Sequence, residues 1–155
     1  MRRIDALLAD YGSSHETRGN VLCHAVGITL ILFGVLALLH GLHLAEPWTL
    51  SEAAVAAAAV VYLSLDLPLG LATTAALVLL DLGARATPKW GWGAAAFVVG
   101  WVFQGIGHAV YEKNSPAFLR NLVHLLIGPA FLVNELLRIR RPAPAPEVPA
   151  SRTSS

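Results

Sequence analysis

Several polar residues with reactive side chains stand inside or beside strongly apolar stretches of this sequence. Gln104, His108 and Glu112 recur every four residues, so one face of a helix would carry all three. A short polar turn follows, and His124 then opens the next apolar stretch. Lipid penalises such groups, so we expect these faces to look inward, at each other or at a wet cavity.

Four histidines are candidates for a metal centre. The turn between the two stretches brings His108 and His124 to the same end of a helix pair, and His15 and His24 precede the first apolar stretch or lie in its first turns. Imidazole is the commonest neutral metal ligand, and nitrogen and oxygen donors without thiolate suit iron, zinc or manganese. Glu112 could bind the metal itself or orient a histidine. The single cysteine excludes a multi-cysteine site.

The composition is that of a membrane protein. Of the 155 residues, 55% are hydrophobic and only 14% are charged, whereas a soluble domain has about 25% charged residues. The mean hydropathy is +0.60. The sequence therefore predicts an all-α integral membrane helical bundle, and the net charge of +1 argues against a nucleic-acid role.

The chain divides into three regions. We predict a polar N-terminal lead-in over residues 1–20, a transmembrane helical domain over 21–139 and a disordered tail over 140–155. Asn20 is a candidate N-cap for the first long helix. About five hydrophobic helices fit the middle region, near residues 21–44, 48–65, 69–82, 93–111 and 117–139. The third is short for a full crossing, so it could be tilted, extend past Gly83 or insert only partly.

The positions of three histidines restrict the topology. His24 begins the first helix, His108 lies near the end of the fourth and His124 begins the fifth. Across a membrane core about 30 Å thick they can meet only if the fourth helix runs opposite to the first and the fifth parallel to it. Five crossings satisfy this, as do three with a re-entrant second and third helix. We favour a cytosolic histidine face, with the C-terminal arginines opposite unless Pro129 turns the last helix back.

Other polar residues are expected to have structural roles. His40 and His43 are read as interfacial or hydrogen-bonded, and Asp66 and Asp81 as loop or interface residues. Glu135 falls close to the face of His124 and could hydrogen-bond within the bundle. Three basic residues are headgroup contacts by default, with holding an anionic lipid head as the alternative: Arg18, Lys113 and Arg120.

The spacing of these residues resembles the membrane 2-hydroxy fatty acid dioxygenase family, whose best-known member acts in fungal phytosphingosine breakdown. Two blocks carry the resemblance: Tyr11-x3-His15-x4-Asn20-x3-His24-x2-Gly27, and Gln104-x2-Gly107-His108-x3-Glu112-x3-Pro116-Ala117 followed by Pro129 and Glu135. The resemblance covers about residues 11–137. This chain departs from the pattern at Gly105, where the family often has a bulky residue, and the glycine could widen the pocket.

The resemblance implies an Fe(II)-dependent dioxygenase that uses O2, without 2-oxoglutarate, to shorten a 2-hydroxy fatty acid by one carbon. His15, His24 and His108 match family histidines and would bind iron, and His124 is added on spacing. The family carboxylate corresponds to Glu112, which with Gln104 would be catalytic. Substrate binding would fall to the polar and basic residues nearby: Arg18, Asn20, Lys113 and Arg120.

Two other function classes remain open from the sequence. A non-catalytic lipid-binding or scaffold protein would use its polar residues only to stabilise the bundle, and would hold no metal. A metal or proton transporter would suit histidines and Glu135 within helices, although the histidines gather at one end. The enzyme hypothesis predicts a fatty acyl or lipid substrate and a location in an inner membrane or the endoplasmic reticulum. The sequence makes no prediction of the oligomeric state.

Overall fold

A computed structural model describes residues 3–13, 17–87, 90–112 and 123–140. These residues form six α-helices, a π-helix that continues α5, and a two-stranded antiparallel ribbon between α2 and α3. The elements are α1 (Arg3–Gly12), α2 (Arg18–Leu39), β1 (His43–Ala45), β2 (Trp48–Thr49), α3 (Leu50–Leu65), α4 (Leu67–Arg85), α5 (Trp90–Ile106), the π-helix (Gly107–Glu112) and α6 (Val123–Leu137). The predicted all-α fold is confirmed, apart from the short ribbon.

Short polar side chains define where the helices begin. Thr17, and not Asn20, caps α2: its side chain accepts from the backbone N–H of Asn20 at 3.3 Å. The helix therefore starts three residues before the predicted position 21. Thr49 and Glu52 form a reciprocal capping box at the start of α3. Asp66 ends α3 in an extended conformation and caps α4, accepting from the N–H of Leu69 at 3.0 Å.

Within the described residues, three helices are long and apolar enough to cross a membrane, namely α2, α4 and α5 with its π-helical extension. Between 22% and 28% of the residues in their most apolar windows are buried, so most residues of these windows are at least partly exposed. Of the alternatives for the third segment, extension past Gly83 is confirmed, because α4 runs from Leu67 to Arg85. Helices α3 and α6 are apolar but shorter, with 16 and 15 residues, so a bundle of five spanning helices is not confirmed.

Glycines spaced by seven residues set the register between α2 and α5. A Cβ atom at Gly27 would lie 2.9 Å from the carbonyl oxygen of Gly100, and one at Gly34 would lie 2.6 Å from that of Gly93. Since Gly27 meets Gly100 and Gly34 meets Gly93, the two helices are antiparallel, as the positions of the histidines in the sequence predicted. Small residues at these positions let the two backbones approach closely.

The other helices pack around this pair. Helix α3 lies antiparallel to α4, and α4 runs parallel to α2, because His40 at the end of α2 contacts Asp81 near the end of α4. The predicted lead-in is a helix, α1, that buries Ile4, Leu8 and Tyr11 and packs on α6, where the rings of Tyr11 and Phe131 are 4.8 Å apart. Burial raises the pKa of the Tyr11 phenol, which therefore stays protonated.

Candidate active site

The structure brings His24 of α2 and His108 of the π-helix into contact. Their ring centroids are 4.7 Å apart and the ring planes are nearly perpendicular, at 89°. Both side chains are buried, with exposed fractions of 7% and 4%. The antiparallel packing of α2 and α5 thus joins residues 84 positions apart in the sequence, as predicted.

The orientation of His24 suits a metal ligand. Its Nδ1 lies 3.1 Å from the carbonyl oxygen of Asn20, one turn earlier in the same helix, so Nδ1 carries the hydrogen and donates it. The lone pair is therefore on Nε2, which is the arrangement seen in metal-binding histidines. The centroid distance of 4.7 Å is close to the roughly 4.5 Å expected when two imidazoles bind one ion through bonds of about 2.1 Å that meet at a right angle.

A change of helix type presents His108 to this site. The six residues Gly107–Glu112 are π-helical, and such segments are rare and occur frequently at functional sites. Gly107 allows the close approach to α2: a Cβ atom there would clash with Oδ1 of Asn20 and lie 3.2 Å from Nδ1 of His24. Any other residue at position 107 would displace the side chain of Asn20.

The described part of the site also contains two neutral polar residues, Gln104 from the second sequence block and Asn20 from the first. Gln104 is 7% exposed and precedes His108 by four residues on the same helix face, as predicted, while Asn20 is fully buried. The Nε2 atom of Gln104 would lie 3.3 Å from a Cβ at Gly27, so this glycine leaves room for the amide beside α2. Amide groups at such positions can hydrogen-bond a polar ligand next to the histidines.

Several predicted site residues are not placed. His15, Lys113 and Arg120 lie outside the described residues, as does Asn121. For Glu112 and His124 the structure describes the backbone, in the π-helix and α6, but not the side chain. Arg18 is the first residue of α2 and is exposed.

Two expectations about the polar faces are wrong. Gly105 points away from the helix interface, with nothing in the described part of the chain within 4 Å of its Cβ position, so it neither admits a helix nor widens the site. Glu135 is exposed, whereas the neighbouring Asn134 is buried at 5% exposure. Asn134 bonds both backbone groups of Arg140, at 2.6 and 3.1 Å, because Arg138 turns the chain back with a φ of 51°.

A second polar cluster lies at the opposite end of α2, and the sequence did not predict it. His40, Glu52 and Asp81 place one donor atom each within 4.8 Å of one another. Nε2 of His40 is 3.0 Å from a carboxylate oxygen of Asp81. Asp81 is therefore a buried residue that joins α2 to α4, and not the loop or interface residue that was expected.

The groups of this second cluster already have protein partners. Ser51 donates its hydroxyl to Asp81, and Glu52 accepts from the Thr49 hydroxyl and from Arg85. The Thr49 hydroxyl is the largest cause that lowers the pKa of Glu52 to about 2; backbone N–H groups and Arg85 act in the same direction, against burial. The cluster links three helices at one end of the molecule.

Asp66 and Arg140 form an ion pair at the His24 end. The guanidinium of Arg140 donates to both carboxylate oxygens, with Nε 3.3 Å from Oδ1. Asp66 caps the start of α4, which lies at the same end as the start of α2. The expectation that Arg140 lies on the side away from the histidines is therefore wrong. The chain turns at Arg138, after the end of α6, and not at Pro129 as the alternative proposed. Residues 141–155 of the predicted tail are outside the described part.

Comparison with known proteins assigns the chain to a family. Residues 1–139 match the family described as Mpo1-like: 2-hydroxy-palmitic acid dioxygenase Mpo1-like. The chain belongs to this family. It is 33% identical over 134 residues to the 2-hydroxy-palmitic acid dioxygenase MPO1 of Saccharomyces cerevisiae, covering 84% of this chain and 77% of the yeast protein. No solved structure matches the chain.

The match spans both blocks from which the resemblance was inferred. His24, Gln104 and His108 all lie within residues 1–139, and the structure gathers them in one buried place. The second cluster also lies within the matched range, so the match alone does not decide between the two ends of the molecule. The fixed tautomer of His24 makes the first site the stronger candidate for a metal centre.

Proposed function

We propose that this protein is a non-haem Fe(II) dioxygenase that shortens 2-hydroxy fatty acids by one carbon. The observation that carries the proposal is the buried His24–His108 pair, which joins the two sequence blocks with ring centroids 4.7 Å apart and leaves Nε2 of His24 as its acceptor nitrogen. The relative named 2-hydroxy-palmitic acid dioxygenase supports the substrate class. Imidazole and carboxylate donors that leave positions open are typical of non-haem iron oxygenases.

The proposed reaction balances with O2 as the sole oxidant. A 2-hydroxy acid R–CH(OH)–COOH and one O2 give R–COOH, CO2 and H2O, as the bond between the carboxyl carbon and the hydroxyl-bearing carbon breaks. The two carbons together lose four electrons, and one O2 accepts four. No reductant or 2-oxo acid is required, in agreement with what the family resemblance implies.

His24 and His108 would hold the iron. His15 and His124 are the proposed further ligands, and Glu112 would bind the metal or orient a ligand. Bound Fe(II) would supply the redox chemistry that lets O2 react with the organic acid. Because the described part of the site is buried between α2 and α5, it excludes bulk water and strengthens the electrostatic interactions inside.

The neutral and basic residues would recognise the head of the substrate. Gln104 and Asn20 could hydrogen-bond the hydroxyl or carboxylate group beside the histidines. Arg18, Lys113 and Arg120 would attract the carboxylate from the membrane surface. We propose an integral membrane location, in an inner membrane or the endoplasmic reticulum, with the histidine end in the cytosol.

The direct test is O2 uptake on addition of 2-hydroxypalmitate to Fe(II)-loaded protein in mild detergent. We expect uptake equal to the acid consumed, with the acid one carbon shorter as product. His108→Ala should lower the rate at least 100-fold, because the iron loses a ligand. His43→Ala is the matched control, since this histidine is 56% exposed at the other end of the molecule, and it should keep the wild-type rate.

Two results would contradict the proposal. Full activity in His108→Ala would exclude the site. Protein that binds iron but consumes no O2 with any 2-hydroxy acid would exclude the reaction and return the chain to the transporter reading. Protein that binds no metal after Fe(II) loading would favour a lipid-binding or scaffold role.

A further inference from the structure

A cavity of about 340 Å³ lies between α2, α4 and α6. Its walls are almost entirely apolar, with Ile28 and Leu32 from α2, Ala76 and Leu77 from α4, and Leu132 from α6. It is partly open, so a molecule can enter from the side. Such a space matches an aliphatic ligand and disfavours a polar one.

The two threonines in the cavity wall do not make it polar. The hydroxyl of Thr73 donates to the carbonyl of Leu69 at 2.8 Å, and that of Thr29 donates to the carbonyl of Ala25 at 2.8 Å. Each hydroxyl therefore bonds the preceding turn of its own helix, and each side chain keeps a methyl group for contact. A ligand in the cavity gains apolar contact and no hydrogen bond from either residue.

The cavity begins one helical turn from the histidine site. On α2, Gly27 faces α5 and Ile28 follows His24 by four residues, so Ile28 and His24 share a face. The Cδ1 atom of Ile28 would lie 3.1 Å from a Cβ at Gly128 of α6. His24 therefore lies between two neighbours. On one side is the interface with α5, where His108 lies, and on the other is the space toward α6, where the cavity lies.

We infer that this cavity binds the acyl chain of the 2-hydroxy fatty acid, an assignment that rests on the proposed function. A head group bound at His24 and His108 places the first carbons of the chain beside Ile28. A cavity of about 340 Å³ is large enough for several methylene groups of one acyl chain. A long chain therefore fills it and leaves its end in the opening toward the lipid, whereas a short chain leaves most of it empty.

Photo-crosslinking tests the inference without requiring turnover. The probe is 2-hydroxypalmitate with a diazirine near the middle of its chain, bound to the Fe(II)-loaded full-length protein in nanodiscs and mapped by mass spectrometry. We expect adducts on cavity residues of α4 and α6, which excess 2-hydroxypalmitate suppresses. Adducts confined to outward-facing residues of the same helices would overturn the inference.

A pair of neighbouring alanines provides the matched variants. Ala76 lines the cavity, and Ala75 is exposed on the outer face of the same helix. Ala76→Phe should fill the cavity, lower kcat/KM for 2-hydroxypalmitate at least tenfold and abolish the cavity adducts, with a smaller effect on 2-hydroxyhexanoate. Ala75→Phe should leave all of these unchanged. Equal kinetics in the two variants would also overturn the inference.

The two failures are distinguishable. If the wild type consumes no O2 with either acid, the proposed function fails. If it consumes O2 but the adducts lie outside the cavity, the proposed function stands and the acyl site is elsewhere. If Ala76→Phe folds poorly, its unfolding temperature will be lower than that of Ala75→Phe. In that case the positions of the adducts on the wild-type protein decide whether the cavity binds the acyl chain.

Discussion

The imidazole of His24 is oriented by the main chain of its own helix. The carbonyl of Asn20 accepts the Nδ1 hydrogen, so no second side chain is needed to fix the tautomer. Replacing Asn20 would leave this bond in place, because it uses the backbone, but would alter the space beside Gly107. Asn20 is thus proposed to act on the substrate and not on the ligand histidine.

At the other end of α2, the carboxyl group of Glu52 has a pKa of about 2, lowered from 4.5 chiefly by the Thr49 hydroxyl. A group whose pKa is lowered on folding stabilises the protein fully above its unfolded pKa and loses this contribution as the pH falls through the folded pKa. We therefore expect the unfolding temperature in detergent to fall as the pH is lowered from 4.5 to 2. Protonation of Glu52 causes part of this fall, and the Glu52→Gln variant should lack that part.

Glu46→Gln is the control for this titration. Glu46 is in the ribbon between α2 and α3 and is 83% exposed, so its substitution should leave the pH dependence as in the wild type. If the wild type and Glu52→Gln lose stability in parallel between pH 4.5 and pH 2, the capping box does not carry the effect. Thermal unfolding followed by circular dichroism at several pH values makes the comparison.

At the scale of elements, the contact between α2 and α5 depends on glycines spaced by seven residues. Gly93, Gly100 and Gly107 of α5 and its extension face Gly34, Gly27 and Asn20 of α2 in order. This register aligns the end of α5 with the start of α2, and so brings His108 to His24. The same glycine spacing that packs the helices therefore assembles the site.

Gly100→Leu should separate the two helices. A Cβ atom there would lie 2.7 Å from Ile31 and 2.8 Å from the carbonyl of Gly27, and overpacking of this kind costs about 1–3 kcal/mol. We expect a lower unfolding temperature together with loss of iron binding. Gly105→Leu on the same helix, where the Cβ position is open, should retain both properties. Equal behaviour of the two variants would show that the glycine register is not required.

Local sequence signals predicted some of these elements correctly. Asp66 before Pro68 marked the break between α3 and α4, and the four-residue spacing of Gln104 and His108 marked a shared buried face. The start of α2 was misplaced because Thr17 and Asn20 are both good caps, and only the folded backbone shows which one accepts. The π-helix has no sequence signature of this kind, so its position could not be predicted.

At the scale of the whole molecule, polar clusters stand at the two ends of α2. His24 lies at one end with His108, and His40 at the other with Glu52 and Asp81. The first was predicted because its residues fall in regular spacings on two helices. The second was not, because it joins three helix ends through contacts that depend on helix rotation and on the ribbon between α2 and α3. The ion pair of Asp66 with Arg140 was missed for the same reason.

The arrangement of charges follows from this topology. Arg18 begins α2, and Arg140 returns to the same end through Asp66, whereas Arg85 lies at the His40 end. The positive-inside rule counts such residues close to the ends of the spans. The return of Arg140 therefore adds to the proposal that the histidine end faces the cytosol.

The proposal that the metal binds at His24 and His108 is tested by the iron content of purified variants. Iron is measured after anaerobic Fe(II) loading and desalting, and the variants compare the two ends of the molecule. We expect about one iron per chain in the wild type and in His40→Ala, and little or none in the double variant His24→Ala/His108→Ala. Iron that is retained in the double variant and lost in His40→Ala would contradict the proposal, and would assign the metal to the His40, Glu52 and Asp81 cluster.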